Sequence, residues 1–281
     1  MYLSSIASKL AICMGINMKI GIIGLGNMAK AMISGMLARK IAEPEDISGY
    51  AKTEETRNRV KEKYQIRISE NNSKAAEEAD ILILAVKPQM FEEVISQIKN
   101  SISDDTLVIS IAAGKTMAQI QEAFERSIKL VRCMPNTPAM VGEGCSGVCR
   151  NELVSDEEMD RCMKLLGSFG IAKEVPEKMM DAVGGVSGSS PAFVFMFIEA
   201  LADGAVKAGM PRKQAYQFAA QTVYGSAKLM LETGMHPGEL KDMVCSPGGT
   251  TIEGVKTLEE MGFRGAVMNA VGACVDKSQK L

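Results

Sequence analysis

The sequence predicts an α/β fold: an N-terminal Rossmann-type, doubly wound parallel sheet followed by an all-α dimerisation domain. The first indication is the stretch around Gly24, where a short apolar run enters a glycine turn and then a helical pattern. The second is that later apolar runs alternate with helical patterns. The third is that no convincing strand follows Pro176. We therefore expect a Rossmann domain at residues 18–176 and a helical domain at 177–281, after an N-terminal extension at 1–17.

Composition excludes several classes of protein. The chain of 281 residues carries 32 basic and 34 acidic side chains, a net charge of −2, which gives no general attraction to nucleic acid or anionic membranes. Apolar residues make up 46%, enough for a sizeable core. The seven cysteines are odd in number and form no C-x-x-C pair, which favours free thiols and a cytoplasmic location. Because His236 is the only histidine, we expect no metal site.

The first 17 residues need a separate interpretation. Their apolar run at 10–14 is short for a signal-peptide core and far too short to span a bilayer. We expect an upstream start codon ahead of a natural start at Met18, and activity that survives truncation to that residue.

The predicted strand at 20–23 runs directly into the glycine turn. A strand, a glycine turn and a helix form the context in which Gly24, Gly26 and Ala29 indicate a dinucleotide site. Gly24 permits the tight turn, Gly26 lets the backbone approach a pyrophosphate, and Ala29 lets the helix pack closely on the strand. The helix start offers free N–H groups and a partial positive charge to the phosphates.

The second strand, predicted at 46–49, should end beside the cofactor ribose. An acidic residue there would favour NAD, but none is present. Lys52, with Arg57 and Arg59 beyond it, could instead meet a 2′-phosphate, which favours NADP. The alternative is that the two arginines only solvate the helix predicted at 54–64.

Further strands should bring more loops to the same crevice, because ligands of open parallel sheets bind beyond the carboxyl ends of the strands. Three continuous apolar runs predict central strands buried on both faces, at 81–86, 107–111 and 128–132. Pro88 suits the first turn of the helix that extends to Lys99. The remaining elements predicted for this domain are a strand at 141–148, a helix at 155–166 and a strand at 171–175.

The helix predicted from Pro191 to Lys207 is apolar on most of its circumference, with one polar stripe made by Glu199, Asp203 and Lys207. In a small domain such a helix indicates burial by another subunit. Three charges in line argue against a membrane span. Further helices are predicted at 212–232, after 236–237, and on both sides of Gly262.

The loop SPGGTT at 246–251 offers three hydroxyl groups and the N–H groups of a helix start. Such a nest suits a carboxylate. The alternative is a glycine-rich connector in which Thr250 or Thr251 caps the helix. The residues alone leave both interpretations open.

Taken together, these motifs resemble the pyrroline-5-carboxylate reductase family, from about Lys19 to Asp276. The resemblance is densest at AVKP (85–88), RCMPNTP (132–138), VSGSSPA (186–192), HPGEL (236–240), SPGGTT (246–251) and GFR (262–264). In the third of these motifs the family usually has S-G-S-G-P, and Ser190 stands here in place of the glycine. That departure weakens only an argument about close backbone packing.

The resemblance implies reduction of the C=N bond of 1-pyrroline-5-carboxylate to L-proline, the final step of proline biosynthesis. We expect NADPH as the cofactor, with NADH as the alternative. With Lys52 added from the argument above, the predicted cofactor contacts are Ile23, Gly24, Leu25, Gly26, Asn27, Met28, Lys52, Asn72, Ala85, Val86, Lys87, Pro88, Ala112 and Ala113.

The resemblance also implies a substrate site and an assembly. The implied substrate contacts are Ser246, Gly248, Gly249, Thr250 and Thr251, which hold the carboxylate and the ring nitrogen. We expect Thr251 to be catalytic through a hydrogen bond to that nitrogen. The family's helical domain forms an interlocked dimer, so a homodimer is implied, with a decamer of five dimers as the larger form. Neither nucleic acid nor a membrane is an expected partner.

Two other functions fit parts of the same pattern. A β-hydroxyacid dehydrogenase shares the layout but needs a lysine general acid, and the helix from Pro191 to Met196 contains none. A non-catalytic NADP sensor would not need a complete substrate loop. Among single residues, His236 is expected to cap a helix, Cys245 to pack, and Lys87 either to contact phosphate or to serve the local structure.

Overall fold

The computed structural model describes residues 18–280, so the expectation of an upstream start lies outside the described residues. Two compact units are present: residues 18–188 with 274–280, called unit 1, and Ser189–Ala273, called unit 2. The sheet ends before residue 176, yet unit 1 continues further because the next helix packs on it. Met180 is fully buried, and a Cβ on Gly147 would lie 2.6 Å from Val183.

Unit 1 is built on one eight-stranded sheet with the spatial order β3-β2-β1-β4-β5-β6-β7-β8. All neighbouring strands are parallel except β6 and β7, which are antiparallel. The strands are β1 Ile20–Ile23, β2 Ile47–Tyr50, β3 Arg67–Ile68, β4 Ile81–Leu84, β5 Leu107–Ser110, β6 Lys129–Met134, β7 Gly144–Arg150 and β8 Gly170–Glu174. This topology confirms the predicted Rossmann-type sheet.

Helices cover the sheet of unit 1. They are α1 Asn27–Ala38, α2 Glu54–Tyr64, α3 Asn72–Glu77, α4 Phe91–Ile98, α5 Met117–Phe124, α6 Asp156–Leu166 and α7 Met180–Val183. A short π-helix at Gly184–Ser189 continues from α7. Alternate strand residues belong to two separate apolar clusters, with Ile83 in one and Leu84 in the other. The central strands are therefore buried on both faces, as their continuous apolar sequence predicts.

The order of the strands reverses at β1, which lies between β2 and β4. Ile23, the last residue of β1, is paired with Tyr50 on one side and with Leu84 on the other. The glycine turn after β1 therefore emerges between the ends of its two neighbours. This is the topological switch point at which open α/β sheets bind ligands.

Unit 2 consists of helices only, and no strand occurs between residues 177 and 280. Its helices, the last of which ends in unit 1, are α8 Ser190–Lys207, α9 Arg212–Thr233, α10 Pro237–Val244, α11 Thr250–Glu260 and α12 Phe263–Ser278. Its buried core comprises only Ala202, Ala215 and Ala219.

Large apolar side chains of α8 remain exposed in the single chain: Phe195 is 65% and Met196 is 67% exposed. Among residues 18–280, one helical stretch, Glu177–Lys207, is long and apolar enough to cross a membrane by length and composition alone.

Several predicted bounds need correction. The strand predicted at 141–148 begins only at Gly144, because Thr137–Val141 forms a 3₁₀ turn that ends at Gly142 with a φ of +79°. Four short elements, β3, α3, α5 and α7, were not predicted. A strand of two residues and a helix of six are too short to show a hydrophobic period.

Candidate functional site

The turn between β1 and α1 requires a glycine at position 24. Gly24 has a φ of +92°, and a Cβ at this position would lie 2.5 Å from the carbonyl oxygen of Ala85. Its N–H donates to the carbonyl of Tyr50 at 2.9 Å. The turn is thus held against the ends of both neighbouring strands, and only glycine fits there.

Gly26 has no such steric requirement. Its φ of −73° suits any residue, and a Cβ here would meet no atom within 4 Å. Gly26 is the N-cap of α1 and supplies no side-chain cap, and the first turn of this helix carries no acidic residue. The open space and the free N–H groups form a cradle that fits a phosphate.

A crevice of about 460 Å³ opens at this end of the sheet. Eight of the predicted cofactor contacts line it: Ile23, Gly24, Gly26, Lys52, Asn72, Ala85, Val86 and Lys87. Lys52 and Lys87 are exposed, and both bring positive charge to the crevice. The predicted residues from the ends of three strands are therefore brought together in one place.

Six of the predicted cofactor contacts do not line the crevice. Leu25 is buried at 1% exposure, and its side chain packs over Gly49, where a Cβ would lie 2.8 Å away. Ala112 is buried at 2% exposure beyond the end of β5. The residues outside the crevice lining are Leu25, Asn27, Met28, Pro88, Ala112 and Ala113.

Sequence reasoning missed six residues that line the crevice: Tyr50, Ala51, Thr53, Met90, Glu93 and Gln97. Gln97 accepts a hydrogen bond from the side-chain amide of Asn72 at 2.8 Å. Tyr50, Ala51 and Thr53 adjoin Lys52, so a fuller use of the strand-end rule could have found them. Glu93 and Gln97 sit on α4, and only the packing of that helix brings them to the crevice.

The two arginines of α2 have different partners. Arg57 donates through Nη1 to the carbonyl oxygens of Ala51, at 2.7 Å, and Lys52, at 3.0 Å. Arg59 forms an ion pair with Glu55 at 2.6 Å, one helical turn away. The interpretation that the arginines only solvate the helix therefore fits Arg59. It does not fit Arg57, which is hydrogen-bonded to the backbone at the crevice.

A larger cavity, of about 690 Å³, lies at the opposite, amino ends of the strands. Its charged groups pair with one another: Lys129 contacts Glu158 at 2.8 Å and Asp105 at 3.3 Å. Ligands of open parallel sheets bind at the carboxyl ends, so we place the candidate cofactor site in the smaller crevice.

In unit 2, the segment at 246–251 leads into helix α11, whose N-cap residue is a glycine. Gly248 has a φ of +66°, and Gly249 is the N-cap of α11 with an extended backbone and no side-chain cap. The alternative in which Thr250 or Thr251 caps the helix is therefore wrong, because both lie inside its first turn. The first N–H groups of α11 and three nearby hydroxyl groups can receive an anion.

Several single residues outside the crevice have clear partners or surroundings. His236 caps α10, because its Nδ1 accepts from the N–H of Gly238 at 3.1 Å, which confirms the capping interpretation. Asp203 pairs with Arg212. Burial raises the pKa of the Cys133 thiol to about 12 and that of Cys149 to about 11. Both thiols are thus protonated at neutral pH and unsuited to nucleophilic chemistry.

Among residues 18–280, no group of three or more His, Cys, Asp or Glu side chains is arranged to hold a metal ion. The sheet, the glycine turn and the crevice define a Rossmann-type dinucleotide-binding protein with an added helical unit. Two family models match this description: "NADP oxidoreductase coenzyme F420-dependent" over residues 19–114, and "Pyrroline-5-carboxylate reductase dimerisation" over residues 177–281.

Relatives along the whole chain identify the family. The sequence is 50% identical over 263 residues to pyrroline-5-carboxylate reductase of Escherichia coli (strain K12), covering 94% of this chain and 98% of that one. The chain therefore belongs to the pyrroline-5-carboxylate reductase family.

Solved structures agree with this assignment. The Coxiella burnetii pyrroline-5-carboxylate reductase superposes with a TM-score of 0.89 at 32% identity, covering 94% of this chain and 98% of that one. The Plasmodium falciparum pyrroline carboxylate reductase with NADP bound has a TM-score of 0.86 at 34% identity, covering 95% and 99%.

Proposed function

We propose that this protein reduces the C=N bond of 1-pyrroline-5-carboxylate to L-proline, the final step of proline biosynthesis, with NADPH as the reductant and NADH as the alternative. The observation that carries the proposal is the end-to-end match to proteins named for this reaction. The start of helix α11, which has a glycine N-cap and hydroxyl groups nearby, supports the proposal because it offers hydrogen-bond donors for the substrate carboxylate.

The crevice of unit 1 is the proposed cofactor site. The cradle at Gly26 fits the pyrophosphate, since no protein atom occupies the space that a side chain would fill. Lys52 and Lys87 offer positive charge to the cofactor phosphates, and Asn72 offers an amide. Backbone contacts are proposed for the glycine turn and for the segments 85–88 and 112–113. A bound reduced nicotinamide supplies the hydride for the reaction.

The loop at 246–251 is the proposed substrate site. The N–H groups from Gly248 to Thr250 hold the carboxylate, with the Ser246 hydroxyl beside them. Thr251 donates or accepts a hydrogen bond at the ring nitrogen and so orients the C=N bond. A cyclic imine can arrive already protonated, so the enzyme has to orient it and support its charge rather than supply a strong acid.

The exposed apolar side of unit 2 is the proposed dimer interface. An apolar groove of about 580 Å³ is lined by residues of α8, α11 and α12, among them Met196, Phe197 and Phe263. The dimerisation model covers all three helices. A second copy of the chain is thus the proposed occupant, rather than a membrane. A cytoplasmic location and a decamer of five dimers are parts of the same proposal.

The proposal is tested by following the oxidation of NADPH in the presence of 1-pyrroline-5-carboxylate. In parallel, the reduction of NADP⁺ is followed with a panel of 3-hydroxy acids. We expect turnover with the imine alone. Turnover with the hydroxy acids instead would identify a β-hydroxyacid dehydrogenase, and cofactor binding without turnover would identify a sensor. Steady-state constants with NADPH and NADH then establish the cofactor preference.

A further inference from the structure

Arg57 occupies an unusual position for a surface arginine. It lies one turn inside α2, yet its Nη1 donates backward to two successive carbonyl oxygens, of Ala51 and Lys52. Its Cζ atom also lies 5.4 Å from the centre of the Tyr50 ring. One side chain therefore fixes three consecutive residues, and all three line the crevice.

These contacts matter because of where the three residues lie. Tyr50 ends β2, and its carbonyl receives the N–H of Gly24 from the glycine turn. Beyond Tyr50 the chain leaves the sheet, and Lys52 and Thr53 are exposed. Without Arg57, the carbonyls of Ala51 and Lys52 would rely on water, and the backbone that carries the Lys52 side chain would lose its main restraint.

The guanidinium of Arg57 is already engaged at this place. It is half-buried, it serves two carbonyl oxygens and it lies over an aromatic ring. Arg59 is engaged with Glu55. Of the three basic residues near the end of β2, Lys52 alone lines the crevice.

We propose that Arg57 is a positioning residue for cofactor selectivity. It holds the backbone of residues 50–52 so that the Lys52 ammonium meets the 2′-phosphate of the cofactor, and it does not itself bind that phosphate. The inference rests on the proposed use of NADPH. It assigns the selectivity to a pair of residues with separate tasks, one that holds the backbone and one that carries the charge.

The geometry makes the proposal specific to arginine. One guanidinium nitrogen, Nη1, serves both carbonyls, while the planar group that carries it lies over the Tyr50 ring. A lysine at position 57 keeps the positive charge and a donor but has no planar group to lie over the ring. Charge and geometry at this position can therefore be separated by substitution.

The test compares Arg57→Lys, Arg57→Met and the control Arg59→Met, which changes an exposed arginine of the same helix. Dissociation constants for NADPH and NADH are measured by fluorescence titration without substrate, followed by KM and kcat. We expect both Arg57 variants to weaken NADPH binding about tenfold, as for a lost charge-assisted hydrogen bond, and NADH binding clearly less, because NADH lacks the 2′-phosphate. An Arg57→Lys variant with normal NADPH affinity would show that only charge matters and would overturn the proposal.

A double-mutant cycle with Lys52→Met tests whether Arg57 acts through Lys52. We expect the double variant Lys52→Met with Arg57→Met to bind NADPH no more weakly than Lys52→Met alone. Additive losses would mean that both residues contact the phosphate independently, and the proposal would fall. Melting temperatures close to that of Arg59→Met establish that the variants are folded.

Failure of this inference is distinct from failure of the proposed function. If the unaltered enzyme reduces 1-pyrroline-5-carboxylate but the Arg57 variants keep its NADPH preference, only the role of Arg57 is wrong. If it binds NADPH selectively through Arg57 and Lys52 but does not reduce the imine, only the proposed reaction is wrong. If it binds NADH more tightly than NADPH, the cofactor assignment and the inference are both overturned.

Discussion

The side-chain amide of Asn136 donates a hydrogen bond to the backbone carbonyl of Ser187 across 3.0 Å. Its oxygen accepts a second hydrogen bond, from the N–H of Cys145 at 2.8 Å. Asn136 is only 8% exposed, so both halves of its amide are paired in a place that water hardly reaches. This one side chain connects the end of β6, the start of β7 and the π-helix at Gly184–Ser189.

We expect Asn136→Ala to lower the free energy of unfolding by about 2 kcal/mol, because it leaves the partly buried N–H of Cys145 and carbonyl of Ser187 without their partner. Urea denaturation measures the change, with Asn100→Ala, at an exposed position, as the control. Equal stability of the two variants would show that Asn136 does not hold these segments together.

Substitution of the two glycines of the turn should affect different properties, the stability of the fold for Gly24 and cofactor affinity for Gly26. We expect Gly24→Ala to destabilise the fold by about 2 kcal/mol or more, because its backbone is left-handed and the Cβ would clash with Ala85. Gly26→Ala should keep its melting temperature but lose NADPH affinity, since the methyl group enters the proposed phosphate cradle. Thermal melting and cofactor titration of both variants check this. A Gly26→Ala protein with full NADPH affinity would contradict the assignment of the cradle.

Thr251 should affect turnover rather than cofactor binding. We expect Thr251→Ala to lower kcat about tenfold to a thousandfold, the range for one lost oriented hydrogen bond in an active site, with little change in the NADPH dissociation constant. Thr251→Ser restores the hydroxyl and should recover most of the activity. Thr257→Ala, two turns along α11, is the control because its hydroxyl bonds only to the backbone carbonyl of Glu253. Normal turnover with weakened cofactor binding would reject this role.

The pair of Lys129 and Glu158 gives a pH dependence whose sign follows from two pKa shifts. Desolvation alone would raise the pKa of Glu158, but hydrogen bonds from Lys129 and Ser155 outweigh it and lower this pKa below 4.5. The hydrogen bond to Glu158 raises the pKa of Lys129 above 10.5. The pair therefore stabilises the fold between these limits. Its contribution is lost below pH 4.5, as Glu158 is protonated, and above pH 10.5, as Lys129 is deprotonated.

Lys129→Met should accordingly lower stability at neutral pH, and the difference from the unaltered protein should shrink as Glu158 is protonated in acid. Urea unfolding across this pH range measures it. Lys228→Met, from an exposed pair with Glu232, is the control and should have little effect. A Lys129→Met difference that stays constant with pH would contradict the electrostatic explanation.

The apolar groove of unit 2 should control assembly. We expect Met196→Lys to yield folded monomers, because Met196 is exposed in the single chain but would place a charge in the interface. Light scattering after size-exclusion chromatography measures the mass. Ile171→Lys, at an exposed apolar position of unit 1, is the control and should leave the dimer intact. A Met196→Lys dimer as stable as the control would place the interface elsewhere.

The sequence allowed much of the fold to be predicted because its signals are local. The bounds of α2, Glu54–Tyr64, match the prediction, since a polar helix between two turns has clear ends. The start of the strand predicted at 141–148 was placed too early, because the apolar Val141 looks like a strand residue but ends a 3₁₀ turn. No local pattern distinguishes those two conformations in so short a run.

Part of the candidate site was predictable from segments that are continuous in sequence, and Asn72 and the residues at 85–87 were named from the family resemblance. The glycine turn and the loop at 246–251 are continuous in sequence, so their residues could be named in advance. Glu93 and Gln97 reach the crevice through the packing of α4 on the sheet. Arg57 and Arg59 are two residues apart on a helix, so their side chains point in different directions. That spacing alone does not say which partners each side chain contacts.

The helices α1 and α11 share a feature with a thermodynamic consequence. Asn71, Thr116, Ser155 and His236 cap four other helices with their side chains, whereas the N-cap residues of α1 and α11 are glycines, which have no side chain to do so. A capping side chain at each would add about 1 kcal/mol to the stability of the empty protein. In the proposed function, the cofactor pyrophosphate and the substrate carboxylate take the place of these caps. Binding at the two helix starts would then add to the free energy of unfolding, by an amount that rises with ligand concentration.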